Sequence, residues 1–237
     1  MKMSVLLAGL VMLMSLMATA VFSLPSSLGP TGILNVPTAE TVTPGGFELM
    51  VAYDRPTVAH VGIDVLPVAT LTYGLAHGEI GVSYFNIEGY TAVKSVHAKY
   101  IIARQSTKSP GTGGPNIALG AMYMKGDTAE TDVYLVASGH TMDLHDGIGT
   151  TVATFGLLYQ KPNDGGGSGK LTGMAGLEIG TPGKTTLGLD YIVKDIVAGS
   201  MFGATLRQPL TRTLTAQVGV GGRNRYFAGL SLKFGAK

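Results

Sequence analysis

The chain has no cysteine and no tryptophan. Without cysteine there is no disulfide, no thiolate metal site and no lipid anchor on a cysteine. Charged residues are 14% of the 237, where soluble domains carry about 25%. The formal net charge is +2, too small to steer the chain to nucleic acid. Beyond the N-terminus no apolar run approaches the ~20 residues that a membrane-crossing helix needs. Insertion of the mature chain into a membrane would therefore require a closed β-barrel, because lipid tolerates no unpaired backbone polar groups.

What the sequence does have is alternation. From Phe47 to Phe234 it falls into short segments with one apolar parity and one small, polar or charged parity. Leu187, Leu189, Tyr191 and Val193 alternate with Gly188, Asp190 and Lys194. Tyr226, Ala228, Leu230, Leu232 and Phe234 alternate with Gly229, Ser231 and Lys233. Successive side chains of a strand point to opposite faces, so each segment has a greasy and a polar surface. The pattern predicts about twelve strands (10–14) in an antiparallel up-and-down transmembrane β-barrel. They span 46–54, 65–75, 78–87, 92–103, 115–125, 131–139, 149–160, 170–180, 185–194, 197–207, 212–221 and 225–234. Turn chemistry such as Thr181-Pro182-Gly183-Lys184 and Gly221-Gly222-Arg223-Asn224 separates them. Longer connections are expected at 104–114, 140–148 and 161–169.

Residues 1–23 have the make-up of a cleaved secretory signal: Lys2, an apolar core from Val5 to Met17, then small residues. Residues 24–45, rich in Pro, Gly, Ser and Thr, are expected to be a periplasmic lead-in or plug segment, tucked against the periplasmic mouth or into the lumen, and the barrel is expected to occupy 46–237. Chain ends on one side require an even strand number.

Aromatic residues of the apolar parity cluster at two levels. Tyr53, Tyr84, Tyr123, Tyr159, Tyr191 and Tyr226 fall at one rim; Phe47, Tyr73, Tyr100 and Phe234 fall at the other. Two aromatic girdles flank the apolar band of a membrane barrel. The opposite parity predicts a lumen lined by Glu48, Glu79, Ser83, His97, Lys99, Glu178, Asp190, Lys194, Gln217 and Lys233. Both signs occur, so charges can pair across the interior, and no single-sign ring sets ion selectivity.

Metal and catalytic signals are weak. His140-Thr141-Met142-Asp143-Leu144-His145-Asp146 offers ligand types but no zinc spacing, and is read as a solvated turn. Ser83 and His97 share inward parity on neighbouring strands, which leaves a barrel hydrolase as an alternative. A secreted soluble barrel that binds a ligand is another; it would need the apolar parity inside. No cofactor or metal is expected.

The stretch Gly29-Pro30-Thr31-Gly32-Ile33-Leu34-Asn35-Val36-Pro37-Thr38-Ala39-Glu40, followed by Pro44-Gly45-Gly46-Phe47, resembles the entry segment of YjbH-like outer-membrane barrels. Gly29, Thr31, Gly32, Pro37 and Ala39 carry the motif. The resemblance implies a bacterial outer-membrane location and a link to exopolysaccharide production or export. The reading is thus an outer-membrane barrel serving as a small channel, export pore or structural barrel. Its partners would be outer-membrane lipid and, during biogenesis, the barrel-assembly machinery.

Overall fold

The computed structural model describes residues 26, 29–55, 57–58, 61–62, 65–87, 91–104, 114–143, 150–163, 167–181, 184–195, 199–222 and 225–235. The secretory signal expected at 1–23 lies outside them. The strands are β1 (Phe47–Arg55), β2 (Thr57–Val58), β3 (Val61–Gly62), β4 (Val65–Leu75), β5 (Gly78–Ile87), β6 (Val93–Ala103) and β7 (Asn116–Lys125). They continue with β8 (Ala129–Asp143), β9 (Thr150–Pro162), β10 (Lys170–Gly180), β11 (Thr186–Asp195), β12 (Gly199–Pro209), β13 (Leu214–Gly221) and β14 (Arg225–Phe234).

Apart from the small β2–β3 hairpin, every strand joins one closed antiparallel barrel of twelve strands. Each pairs with its neighbours in sequence, and β1 closes the ring on β14 with Phe47 opposite Phe234 and Arg55 opposite Tyr226. This is the meander that short links between alternating segments dictate. One expectation needs correction. Strand β8 runs to Asp143, so His140, Thr141, Met142 and Asp143 belong to a strand and not to a turn. Residues 144–149 and the side chains of 140–143 lie outside the described residues. The connection after β1 also carries its own hairpin, β2–β3.

The parity resolves as apolar outward. Leu187, Leu230 and Leu232 are exposed, as are Val96, Leu119, Leu157, Phe202 and Val218. The polar parity is buried, with Glu48, Glu79 and Thr72 at 0% exposure. A soluble barrel would show the reverse. The outer surface is a continuous apolar belt, and the strand residues that bear outward charge among those described, Arg55, Lys94, Lys125 and Lys161, cluster at one rim. Phe47, Tyr73 and Phe234 pack together at the other, with ring centroids 4.6 and 5.4 Å apart.

The belt generates a prediction. Leu157 sits midway along β9 and is half exposed. Leu157→Arg should cost about 2–4 kcal/mol of folding free energy in a bilayer, the cost of a cation at the midplane. Denaturant titration in lipid vesicles checks this. Lys161→Leu, at the rim, should change stability by less than about 1 kcal/mol.

Candidate functional site: a plugged lumen

A barrel of twelve strands lies between the roughly eight that side chains fill and the roughly sixteen that leave a water channel. Here the chain fills it. Residues 29–42 enter the lumen and are buried almost throughout; Ile33, Leu34 and Val36 are at 0% exposure. The segment doubles back on itself. The Gly32–Pro37 bridge, the bond from the Thr38 amide to the Thr31 carbonyl (3.1 Å) and that from the Ile33 amide to the Val36 carbonyl (2.9 Å) make a tight loop. Gly32 is required there, because a Cβ would lie 2.8 Å from Pro37 Cα. Leu34 and Asn35 form the tip.

The tip is held by one carboxylate. Asp190, on β11, accepts the amides of Leu34 (2.9 Å), Asn35 (2.5 Å) and Val36 (3.1 Å), and the Asn35 side-chain amide at 2.9 Å. Successive amides around a turn make a nest that favours an anion. Charge-assisted bonds of this kind are roughly twice as strong as neutral ones. Asn35 also accepts from Arg225, which pairs with Asp54 at the rim away from the chain ends. Arg207 on β12 pairs with Glu178 at 2.6 Å and donates to the Gly32 and Ile33 carbonyls.

The base of the plug is held by a second ion pair. Glu79 on β5 and Lys99 on β6 are 3.1 Å apart with fully buried side chains. Glu79 accepts the amides of Thr31 (2.9 Å) and Val42 (3.0 Å). Lys99 donates to the carbonyls of Thr31 (3.1 Å) and Thr38 (3.0 Å). Ser138 accepts the Ala39 amide at 2.9 Å. Buried charges are costly unless paired and hydrogen-bonded, and here plug backbone supplies the remaining partners. The wall supplies charge and the plug supplies peptide groups.

The wall is shaped for the tip. A Cβ on Gly188 would lie 2.7 Å from Ile33 Cγ2, and one on Gly203 would lie 2.7 Å from Asn35 Nδ2. Gly176 faces Ile33 in the same way, leaving no room for a Cβ beside Ile33 Cδ1, whereas a Cβ on Gly219 would make ordinary contact with Leu34 at 3.5 Å. Two apolar clusters complete the seat. Val36 joins Ala118, Tyr134, Val136, Leu158, Met174 and Ile192; Leu34 joins Met50, Ala52, Val68 and Phe227. The inner face is therefore not uniformly polar. It is greasy where the plug presses on it.

Of the residues expected to line the lumen, Glu48, Glu79, Ser83, His97, Lys99, Glu178, Asp190 and Gln217 are buried on the inner face. Lys233 is inward and partly exposed, 3.8 Å from Glu48. The Lys194 side chain lies outside the described residues. The aromatic residues Tyr84, Tyr100, Tyr123, Tyr159, Tyr191, Tyr226 and Phe234 are exposed on the outer face; Phe47, Tyr53 and Tyr73 are half-buried there. Ser83 and His97 do not form a nucleophile–base pair. Ser83 Oγ accepts from Thr70 at 3.2 Å, His97 Nε2 faces Thr72 at 3.4 Å, and Gly29 packs against both side chains. The motif residues Gly29, Thr31, Gly32, Pro37 and Ala39 all belong to the plug.

Arg207, Arg225 and Asp54 escaped the sequence reading. Parity could have found them: Arg207 is in phase with Gly203 and Thr205, and Asp54 and Arg225 alternate with Tyr53 and Tyr226. The plug does not satisfy every polar group of the wall. Ser95, His97 and Tyr134, on β6 and β8, hold buried polar atoms without a hydrogen-bond partner; a second group with such atoms is Glu48 (3.8 Å from Lys233), Thr205, Gln217 and Arg207 Nε. This second group lies on β1, β12 and β13, beside Thr215 and Ser231, which face each other across β13 and β14. Such groups call for water or a polar ligand.

No family model matches the chain, and no curated protein matches it. Among solved structures it is similar to the KdgM porin, at 13% identity over 79% of this chain and 99% of that one, with a TM-score of 0.61. It is similar to the KdgM porin in complex with disordered oligogalacturonate (13%, 80% and 99%, TM-score 0.58). It is also similar to the NanC porin (12%, 79% and 100%, TM-score 0.53). The shared feature is the porin barrel fold. That fold and the apolar belt are those of a barrel that spans a membrane.

The grip on the tip can be tested directly. Asp190→Ala strips four hydrogen bonds and leaves buried amides unpaired, each costing about 1–3 kcal/mol. In a Val36→Cys background, a water-soluble maleimide should label slowly; adding Asp190→Ala should raise the rate at least tenfold. Asp190→Asn, which keeps an acceptor, should fall between.

Proposed function

We propose that the chain is an outer-membrane channel for hydroxyl-rich solutes, kept closed or narrow by residues 29–42. One observation carries this reading. The plug is bound to the wall through backbone hydrogen bonds that water can replace, beside buried polar groups that it leaves without a hydrogen-bond partner. Hydrogen bonds exchanged for water contribute only about 0.5–1.5 kcal/mol each, and those to charged groups about 1.5–3 kcal/mol. The plug is held by such bonds and by two apolar clusters, with no covalent link, so it can be displaced.

The lumen carries both signs. Glu79–Lys99, Glu178–Arg207, Asp54–Arg225 and Glu48–Lys233 are self-paired, so the interior favours neither cations nor anions. Thr215, Gln217 and Ser231 offer hydroxyl and amide groups to a sugar. Saccharide as cargo is further supported by the solved complex of the KdgM porin with oligogalacturonate. The finer link to exopolysaccharide production or export rests on the YjbH-like entry motif, whose residues form the plug. The proposed partners are outer-membrane lipid around the belt and the assembly machinery during biogenesis.

Planar-bilayer conductance tests the channel. The full chain should give small or rare openings, and deletion of 29–42 should raise unit conductance several-fold. Oligogalacturonate added to the deleted form should block current in a concentration-dependent way. A deleted form that folds, shown by heat-modifiability on a gel, yet passes no current would overturn the channel and leave a structural barrel.

A further inference from the structure

The outward cations of the described strand residues are not scattered. They follow the aromatic girdle in register. Tyr53 and Arg55 on β1, Tyr123 and Lys125 on β7, and Tyr159 and Lys161 on β9 repeat one arrangement: a tyrosine on the outer face, then a cation two residues further out. The other rim ends its outward faces on Phe47, Leu75, Leu187 and Phe234. On β6 and β7 the arrangement tightens. Lys94 and Lys125 are direct cross-strand partners, and Lys94 is also opposite Tyr84 on β5.

Like charges directly opposite on one face of a sheet are destabilising, with Cβ atoms only about 4.5–5.5 Å apart. Among the described residues no ion pair engages either lysine. The nearby acid in the following turn, Asp127, accepts the Thr91 amide at 3.5 Å. The two lysines border a groove of about 560 Å³ whose walls include Tyr84, Tyr123, Val96 and Thr91. Its floor is apolar and faces lipid; its cations sit at the level where headgroups lie.

We infer that this groove holds a membrane lipid through a phosphomonoester headgroup, its acyl chain lying along Val96 and the two tyrosine rings. Two ammonium groups side by side match a phosphomonoester's charge of about −1.5 to −2. A zwitterionic or singly charged headgroup leaves the repulsion partly uncompensated. Lysine serves here as a point charge for phosphate. The girdle tyrosines supply what anchors amphiphiles at the interface, a ring against the chain and a hydroxyl toward water.

Native mass spectrometry of the detergent-solubilised full chain tests this, with phosphatidic acid as probe and phosphatidylcholine as the zwitterionic control. Each lysine near a membrane surface contributes about a fivefold gain for an anionic lipid. Retention of phosphatidic acid should therefore exceed that of phosphatidylcholine by at least about fivefold. Lys94→Gln with Lys125→Gln should bring the two lipids level, Lys94→Arg with Lys125→Arg should restore the difference, and Lys184→Gln, in a turn at the other rim, should leave it unchanged. Heat-modifiability confirms that each variant is folded; if the double glutamine variant does not fold, each single variant should lose about half of the preference. Undiminished retention of phosphatidic acid by the glutamine variants would overturn the site. So would its full displacement by millimolar inorganic phosphate, because the groove would then recognise the ion and not the lipid.

Discussion

Closure of the sheet between β1 and β14 is the constraint on which everything else depends. In hydrocarbon an open sheet edge leaves amides and carbonyls unpaired, at several kcal/mol each. Pairing Phe47–Arg55 with Tyr226–Phe234 removes both edges at once. Closure then divides the described strand side chains into those that face lipid and those that face the interior. The low charge content, the Tyr and Phe at the strand ends and the Gly, Ser and Thr of the second parity are consequences of that division.

Closure also creates an interior wider than the one that about eight strands fill with their own side chains. Charges facing an empty apolar interior are costly, and charges facing water leave an open pore. This chain takes a third course. Its own residues 29–42 bring peptide groups to Glu79, Lys99, Asp190 and Arg207, and apolar side chains to Met50, Val68, Val136 and Ile192. The plug is specified twice, by polar partners that fix its register and by glycines that leave room for Ile33 and Asn35.

The fold was largely legible in the sequence, because strand periodicity and turn residues are local signals. Strands 65–75, 78–87, 170–180 and 225–234 have the bounds that alternation predicts. The inner parity was legible for the same reason. The path of the plug was not. Its partners lie 37 to 190 residues away, and no local pattern encodes such a distance. Alternation also hid the apolar inner residues. Val136, Leu158 and Ile192 fall in phase with polar positions, and only the buried Val36 explains why they are greasy. The glycines at 176, 188 and 203 had an evident parity but an unseen purpose. They are small because Ile33 and Asn35 approach them.

The central claim is that residues around Ile33 occupy the lumen against β11, and the lack of native cysteine makes it directly testable. A Cβ built on Gly188 would lie 3.9 Å from Ile33 Cβ, close to the ~3.8 Å typical of a disulfide. The double substitution Ile33→Cys with Gly188→Cys, oxidised in the folded, membrane-inserted barrel, should form an intramolecular disulfide, seen as a reducible mobility shift on a denaturing gel. Two free thiols, both open to maleimide after oxidation, would mean that the segment lies elsewhere and that the lumen is not plugged.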